Sequence, residues 1–143
     1  MAKFVRPTID TKFYIDFSWW QQKGQNLRAF LLSHANACPD CQRWAEDAQD
    51  KTFDWISPET GEVYEIDMLW HVIRTYCKDD PNFLDNRIPL TTAIFRVFIL
   101  NNNTPISPAE LHQQIPKKSA DMILRTIGRR QIYKGIKPFV PSV

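Results

Sequence analysis

Apolar side chains between Ile15 and about Ala35 recur at intervals of three, four and seven residues, which is the spacing of one face of a helix. Gly24 interrupts this segment and predicts either a kink or a division into two helices. The preceding residues, 1–12, are expected to be extended and weakly anchored, and residues 41–50 are expected to form a short helix. The first part of the chain is therefore predicted to be mainly helical.

A β-hairpin is predicted where two short apolar runs, 53–56 and 63–66, flank a segment rich in turn residues. The intervening residues 57–61 read Ser-Pro-Glu-Thr-Gly, and Pro and Gly are typical of tight turns. Asp67 follows the second run and is suited to capping a helix, because its carboxylate accepts hydrogen bonds from backbone N–H groups. That helix is predicted over 68–78.

A second unit begins with a strongly apolar segment, 92–100, whose apolar side chains cover nearly every face of a helix. Such a helix is predicted to be central and buried, and the three asparagines at 101–103 are expected to end it. Next, Ser107 and Glu110 have the spacing of a capping box, and Pro108 stands at the first helical position. A short second helix is therefore predicted to begin at Pro108.

A third helix is predicted over about 118–127, with Gly128 at its C-terminal end. Two short extended pieces, 131–133 and 136–139, are predicted to follow it. A turn at 134–135 would join them into a small hairpin.

Residues 90–140 resemble a winged helix-turn-helix domain. The order of elements is shared: a long apolar helix, a short capped helix, a tight turn, a third helix and a small glycine-centred hairpin. In that family the second helix commonly begins with a Pro-x-Glu-Leu sequence, which stands here within Ile106-Ser107-Pro108-Ala109-Glu110-Leu111. The resemblance covers roughly the last third of the chain.

These elements predict a mainly α-helical α+β protein in two parts. Residues 1–87 are expected to form a helical N-terminal body with one β-hairpin, and residues 88–143 a C-terminal winged helix. The connection at 85–87 is too short to be a free linker, so we expect the two parts to pack together. The length of 143 residues is sufficient for one substantial core.

Charge is distributed unevenly along the chain, although the formal net charge is only +2. Residues 104–143 carry seven Lys or Arg and two acids, whereas residues 36–67 carry nine acids and two basic residues. A clustered basic patch is the electrostatic pattern expected of a protein that binds a polyanion. A solvated surface with unevenly placed charges is the alternative interpretation.

The winged-helix resemblance implies that the third helix enters the major groove of DNA and that the wing contacts the DNA backbone or minor groove. Basic side chains on these elements can neutralise phosphates. Arg125 is the candidate for reading a base edge, because a guanidinium can donate two hydrogen bonds to guanine. The predicted nucleic-acid-binding residues are Lys117, Lys118, Ser119, Arg125, Arg129, Arg130, Lys134 and Lys137.

His34, Cys38 and Cys41 form the pattern H-x3-C-x2-C, in which the two cysteines present thiolates at a distance that suits tetrahedral zinc. Cys77 is the natural third ligand, and His34 or His71 would be the fourth. The sequence thus predicts a structural zinc site. Two alternatives stay open: three reduced thiols without a ligand, and a redox pair, which the lack of a surrounding βαβ pattern disfavours.

The motifs that are missing narrow the class of function. The sequence has no glycine-rich nucleotide-binding loop and none of the common metalloprotease or serine-hydrolase motifs, so we expect that the protein is not an enzyme. No apolar stretch is long enough to span a membrane, and the N-terminal residues lack the pattern of a signal peptide. We therefore expect a cytoplasmic protein.

The leading prediction is a small intracellular protein that binds double-stranded DNA, in association with transcription, through the third helix and the wing. The alternative is a non-enzymatic adaptor or assembly subunit that docks proteins through the winged helix and an aromatic surface. In the first case the acidic, aromatic-rich body is expected to bind a protein partner or to self-associate.

Overall fold

The computed structural model describes residues 6–35, 39–47, 51–85 and 87–139, and for residues 45–47 it describes the backbone alone. In chain order the described elements are β1 (Phe13–Ile15), α1 (Phe17–Gln22), α2 (Leu27–Ala35), α3 (Pro39–Asp47), β2 (Thr52–Ile56), β3 (Val63–Asp67), α4 (Leu69–Cys77), α5 (Leu90–Leu100), α6 (Pro108–Gln114), α7 (Ala120–Ile127) and β4 (Ile136–Pro138). The strands form two antiparallel pairs, β1 with β4 and β2 with β3. The predicted α+β class, dominated by helices, is confirmed. None of the described helices is long and apolar enough to cross a membrane.

The first predicted helix is divided into α1 and α2 at Gly24. This residue has a φ of +62°, a left-handed conformation that glycine adopts without steric cost. Asp16 caps the start of α1, where its Oδ1 accepts a hydrogen bond from Ser18 N at 3.0 Å. The division lets Trp20 of α1 pack against Phe30 of α2, with 5.4 Å between the ring centroids.

The predicted hairpin is present as β2 and β3. Ile56 lies opposite Val63 beside the turn, and Thr52 lies opposite Asp67 at the far end. Successive side chains point to opposite faces, so Trp55 is buried while Ile56 and Val63 are 64% and 58% exposed. One face of the hairpin therefore packs against the protein and the other faces solvent.

Local signals also place the starts of α4 and α6. Asp67 Oδ1 accepts a hydrogen bond from Leu69 N at 2.9 Å. Ser107 Oγ accepts a hydrogen bond from Glu110 N, and Glu110 Oε1 accepts one from Ser107 N, both at 3.2 Å. With Pro108 in the first turn of α6, the predicted capping box is confirmed.

Strand β1 is absent from the sequence prediction, and it changes the arrangement of the C-terminal part. The predicted wing hairpin is reduced to one bridge between Tyr133 and Ile136, because β4 pairs with β1 instead. The other edge of β1 meets Ile106: Phe13 N donates to Ile106 O at 2.8 Å, and Ile106 N donates to Phe13 O at 2.9 Å. All three β1 side chains are buried. Burial of these side chains and pairing of both strand edges favour this arrangement over a free wing.

One hydrophobic core connects the two predicted parts of the chain. Helix α5, buried along residues 93–99, lies in this core as predicted. Its Phe95 packs against Phe30 of α2 and Trp70 of α4, with centroid separations of 4.8 and 6.4 Å. Because β1 and β4 come from opposite ends of the chain, the two parts share a sheet as well as a core.

Candidate functional site

Helices α6 and α7 pack against each other, and α6 also contacts α5. Residues 115–119 connect them, and Ile123 and Ile127 bury the inner face of α7. Ser119, a predicted DNA-binding residue, is the N-cap of α7, since its Oγ accepts a hydrogen bond from Met122 N at 3.1 Å. The inner face of α7 is thereby fixed, and its outer face is left to solvent.

Basic side chains stand at or beyond both ends of the outer face of α7, whose first turn also carries the exposed Asp121. Arg125 is exposed near its C-terminal end, and the exposed Lys117 and Lys118 precede its first turn. Among the described residues, no carboxylate lies within 4.0 Å of these three cationic groups. These three groups therefore form no ion pair within the described residues.

Arg129 and Arg130 extend this basic face beyond the end of α7, and both are exposed. Arg129 Nε donates a hydrogen bond to Arg125 O at 3.0 Å, which satisfies one of the carbonyl groups left open where the helix ends. The side chain of Arg129 is therefore held beside that of Arg125.

The two predicted wing lysines are held by the N-terminal part of the chain. Lys134 Nζ lies 4.9 Å from the ring centroid of Phe30 and 5.7 Å from that of Trp20, within range of cation–π attraction. Lys137 Nζ lies 2.8 Å from Asp16 Oδ2. These contacts disfavour the predicted phosphate contacts of both lysines.

The ion pair of Lys137 is reflected in the ionisation of its partner. Burial raises the pKa of Asp16, but hydrogen bonds from Lys137 and Ser18 outweigh this effect and hold the pKa below its ordinary value. The charge of Lys137 is therefore compensated inside the protein, and the side chain has a structural role.

Arg6 joins the basic face, although the sequence prediction omits it. A cleft of about 430 Å³ at the C-terminal end of α7 is lined by Arg6, Pro7, Leu124, Arg125, Gly128 and Arg129. Glycine at 128 permits this approach, because a Cβ there would lie 2.6 Å from Leu124 O and 3.3 Å from Pro7 Cγ. Arg6 stands far from α7 in the sequence, in a segment without periodicity, so no local signal indicates this contact.

Cys41 of α3 and Cys77 of α4 meet in the interior, with their Sγ atoms 3.1 Å apart and both side chains fully buried. This separation is too long for a disulfide bond between them, which is about 2.05 Å. Two thiolates on one tetrahedral zinc ion, with bonds of about 2.3 Å, lie about 3.8 Å apart, so a small displacement would fit the pair to zinc. Cys38, the remaining predicted thiol ligand, lies outside the described residues.

His34 is placed for packing rather than for binding metal. Its Nδ1 accepts a hydrogen bond from Arg96 Nε at 3.1 Å, and its ring stacks on Phe95. A neutral imidazole that accepts at Nδ1 carries its proton on Nε2, which leaves no lone pair for zinc. Within the described ranges no three His, Cys, Asp or Glu residues form a group that would hold a metal ion. His34, Cys41 and Cys77 therefore do not form a metal site by themselves.

Comparisons with known proteins assign no family to the chain. No family model, no curated protein and no solved structure matches it. The winged-helix resemblance of residues 90–140 accordingly stays a prediction, and the geometry of this chain carries the functional proposal.

Zinc binding by the cysteines also stays a prediction, and metal content tests it. We expect about one zinc ion per purified chain and a lower melting temperature in the presence of a chelator, since a structural zinc ion contributes to folding. Cys77→Ser should lose the zinc, whereas His34→Gln should keep it because Arg96 occupies Nδ1. A metal-free wild-type chain whose melting temperature a chelator does not change contradicts the prediction.

Proposed function

We propose that the protein binds double-stranded DNA, without catalysing a reaction, through what we call the α7 surface. This surface consists of the exposed basic side chains around α7, which are Lys117, Lys118, Arg125, Arg129 and Arg130. The observation that carries the proposal is that Arg125 is exposed on α7 and that the other four side chains are exposed in the residues directly before and after this helix, which packs against α6. The first four have no carboxylate within ion-pair distance among the described residues. Lys134 and Lys137 are left out of the proposed interface because the N-terminal part of the chain holds them.

The dimensions of α7 support the proposal. An α-helix with its side chains is about 10–12 Å in diameter, which fits the major groove of B-DNA at about 12 Å wide. Lys117 and Lys118 precede α7, whereas Arg125 and Arg129 lie at and beyond its other end, so basic side chains flank the helix on both sides for contacts with phosphates. Such contacts would orient the helix without reading the base sequence.

Arg125 and Met122 are the side chains best suited to contact bases. They lie three residues apart on the helix, so they are neighbours on its outer face, and both are exposed. Arg125 can donate paired hydrogen bonds to guanine, and an apolar side chain such as Met122 can pack on a thymine methyl group. Met122 is 45% exposed and is therefore accessible to a ligand.

Fluorescence anisotropy with a labelled mixed-sequence duplex tests the proposal. We expect binding at about 50 mM salt and an affinity about 100-fold lower at about 200 mM, because neutralising four phosphates releases condensed counterions. The triple variant Arg125→Ala, Arg129→Ala, Arg130→Ala should bind at least about tenfold more weakly and with a smaller salt dependence.

A control variant removes the same charge from elsewhere on the molecule. Lys23→Ala, Lys51→Ala, Lys78→Ala replaces three exposed lysines of the N-terminal part and should bind the duplex nearly as well as the wild type. If both triple variants lose the same affinity for the duplex, binding is not localised at the α7 surface and the proposal is contradicted. No wild-type binding at about 50 mM salt contradicts DNA binding altogether.

Protein docking is the second candidate function, and the outer face of the hairpin favours it. Ile56 and Val63 are exposed opposite each other, and the next pair on the same face, Asp54 and Glu65, is exposed as well. This face offers apolar and acidic groups together and suits a partner surface with apolar and basic groups. A chain that shows no salt-sensitive duplex binding in the experiment above would favour this candidate.

A further inference from the structure

Three arginines from distant parts of the chain line one cleft at the C-terminal end of α7. Arg125 lies near the C-terminal end of α7, Arg129 follows that end by two residues, and Arg6 comes from the segment that precedes β1. We infer that this cleft binds a phosphate group of the DNA backbone and that Arg6 is its third cationic ligand. The inference rests on the proposed function and extends the interface to the N-terminal segment.

The segment that carries Arg6 is anchored close to the cleft. Pro7 is buried and lies beside Gly128, and Ile9 O accepts a hydrogen bond from Ala109 N of α6 at 3.0 Å. Arg6 is therefore one residue away from a fixed position. This arrangement lowers the entropy cost of presenting its side chain to a ligand.

The charges in the cleft favour a bound anion. In the described part of the chain, no carboxylate lies within 4.0 Å of the guanidinium groups of Arg6, Arg125 and Arg129. The negative end of the α7 dipole offsets only part of this charge. A phosphate matches the site because its oxygens accept paired hydrogen bonds from guanidinium groups.

The walls of the cleft favour a phosphate within a longer chain over a small ion. Pro7 and Leu124 supply apolar surface beside the arginines in this open cleft of about 430 Å³. The carbon atoms of the flanking sugars can pack on this apolar surface. Because Arg125 borders the cleft, the bound phosphate would belong to a nucleotide next to the bases that α7 contacts.

Anisotropy titrations of the wild type and Arg6→Gln over a series of salt concentrations test the inference. Loss of one phosphate contact should lower the slope of log affinity against log salt by about 0.9 and weaken binding at about 50 mM salt by about fivefold. Arg6→Lys keeps the charge but loses the paired hydrogen bonds, so it should keep the slope and bind more weakly. The control Arg43→Gln removes an arginine paired with Asp40 on α3 and should bind like the wild type.

The outcomes separate this inference from the proposed function. If the wild type binds the duplex and Arg6→Gln behaves like Arg43→Gln, the inference is overturned and the α7 surface stands. If the wild type binds no duplex, the proposed function fails. Melting temperatures measured with inorganic phosphate then test whether the cleft binds an anion. A higher melting temperature in phosphate than in chloride of equal ionic strength, lost in Arg6→Gln, supports a phosphate site for a free anion. No difference between phosphate and chloride overturns the site.

Discussion

Replacement of Asn103 by alanine is expected to lower the free energy of unfolding by about 3 to 5 kcal/mol, a large part of the stability of a typical domain. Asn103 is 1% exposed, and its side-chain amide bonds both backbone groups of Ile15 in β1. Its Oδ1 accepts from Ile15 N at 2.7 Å, and its Nδ2 donates to Ile15 O at 2.8 Å. Alanine would leave two buried backbone groups unpaired, at a cost of about 1 to 3 kcal/mol each.

Two further variants separate the lost hydrogen bonds from backbone strain. Asn103 has a φ of +59°, which alanine adopts at a cost of about 1 kcal/mol and glycine adopts freely. Asn103→Gly should therefore remain destabilised by about 2 to 4 kcal/mol. Asn101→Ala is the control in the same turn, since its side chain bonds only the exposed Thr104, and it should cost about 1 kcal/mol. Urea unfolding measures all three, and an Asn103→Ala chain as stable as Asn101→Ala contradicts the explanation.

The long-range hydrogen bonds of the asparagines at 101–103 could not be predicted from the sequence. The pattern at 101–103 predicts the end of α5, which is observed, but it gives no indication of partners elsewhere. Asn102 Oδ1 accepts a hydrogen bond from Trp70 Nε1 at 3.1 Å, and Asn102 O accepts one from Trp55 Nε1 at 3.2 Å. The two tryptophans lie 32 and 47 residues away in the sequence. The turn therefore connects α5 to α4 and the hairpin through contacts that no local pattern encodes.

Elements with a local cause could be predicted from the sequence. The hairpin follows from its turn residues, and the start of α6 follows from the reciprocal bonds of Ser107 and Glu110. Strand β1 has only three residues, too few to show a period of two, and its partner β4 lies at the other end of the chain. The reduced wing could not be predicted either, because it results from the pairing of β4 with this distant strand.

The distribution of charge along the sequence indicates the basic residues around α7, but it does not indicate which basic residues share one exposed surface. In the sequence, Lys134 and Lys137 belong to the same basic segment as Arg125, and only their contacts with the N-terminal part separate them from it. Arg6 shows the converse case, because it lies outside that segment and is brought to α7 by the folding of the chain. A proposed interface that combines residues from both ends of a sequence cannot be delimited by counting charges along it.

Acidification is expected to cost the wild type about 3 kcal/mol of stability between pH 7 and pH 4 through His34 alone. Burial and the charge of Arg96 lower the pKa of His34 from 6.5 to about 4. Between these values the unfolded chain binds a proton on His34 that the folded chain does not bind. The stability that neutral His34 contributes to the folded chain is fully present above pH 6.5 and is lost as the pH falls toward about 4.

The surroundings of His34 explain why its charged form is disfavoured. Arg96 Nε already donates to Nδ1 at 3.1 Å, so a proton on Nδ1 would place two donors and two cations face to face. Arg96 is itself fixed, because its Nη1 donates to Phe83 O at 3.0 Å and its guanidinium lies 4.6 Å from the Phe83 ring centroid. Within the described residues, His34 Nε2 has no hydrogen-bond partner that would stabilise the charged ring.

His34→Gln tests this linkage, because glutamine can accept the hydrogen bond from Arg96 but does not ionise. The free energy of unfolding is measured in urea at pH 7, 5.5 and 4. Between pH 7 and pH 4 it should fall by about 3 kcal/mol less for the variant than for the wild type. Carboxylates titrate in both chains and cancel in the difference. Asn101→Ala removes no ionisable group, so it should lower the free energy of unfolding by the same amount at each pH. Parallel profiles for the wild type and His34→Gln would mean that His34 has the same proton affinity in the folded and unfolded chains, and the interior position of its ring would then have no electrostatic consequence.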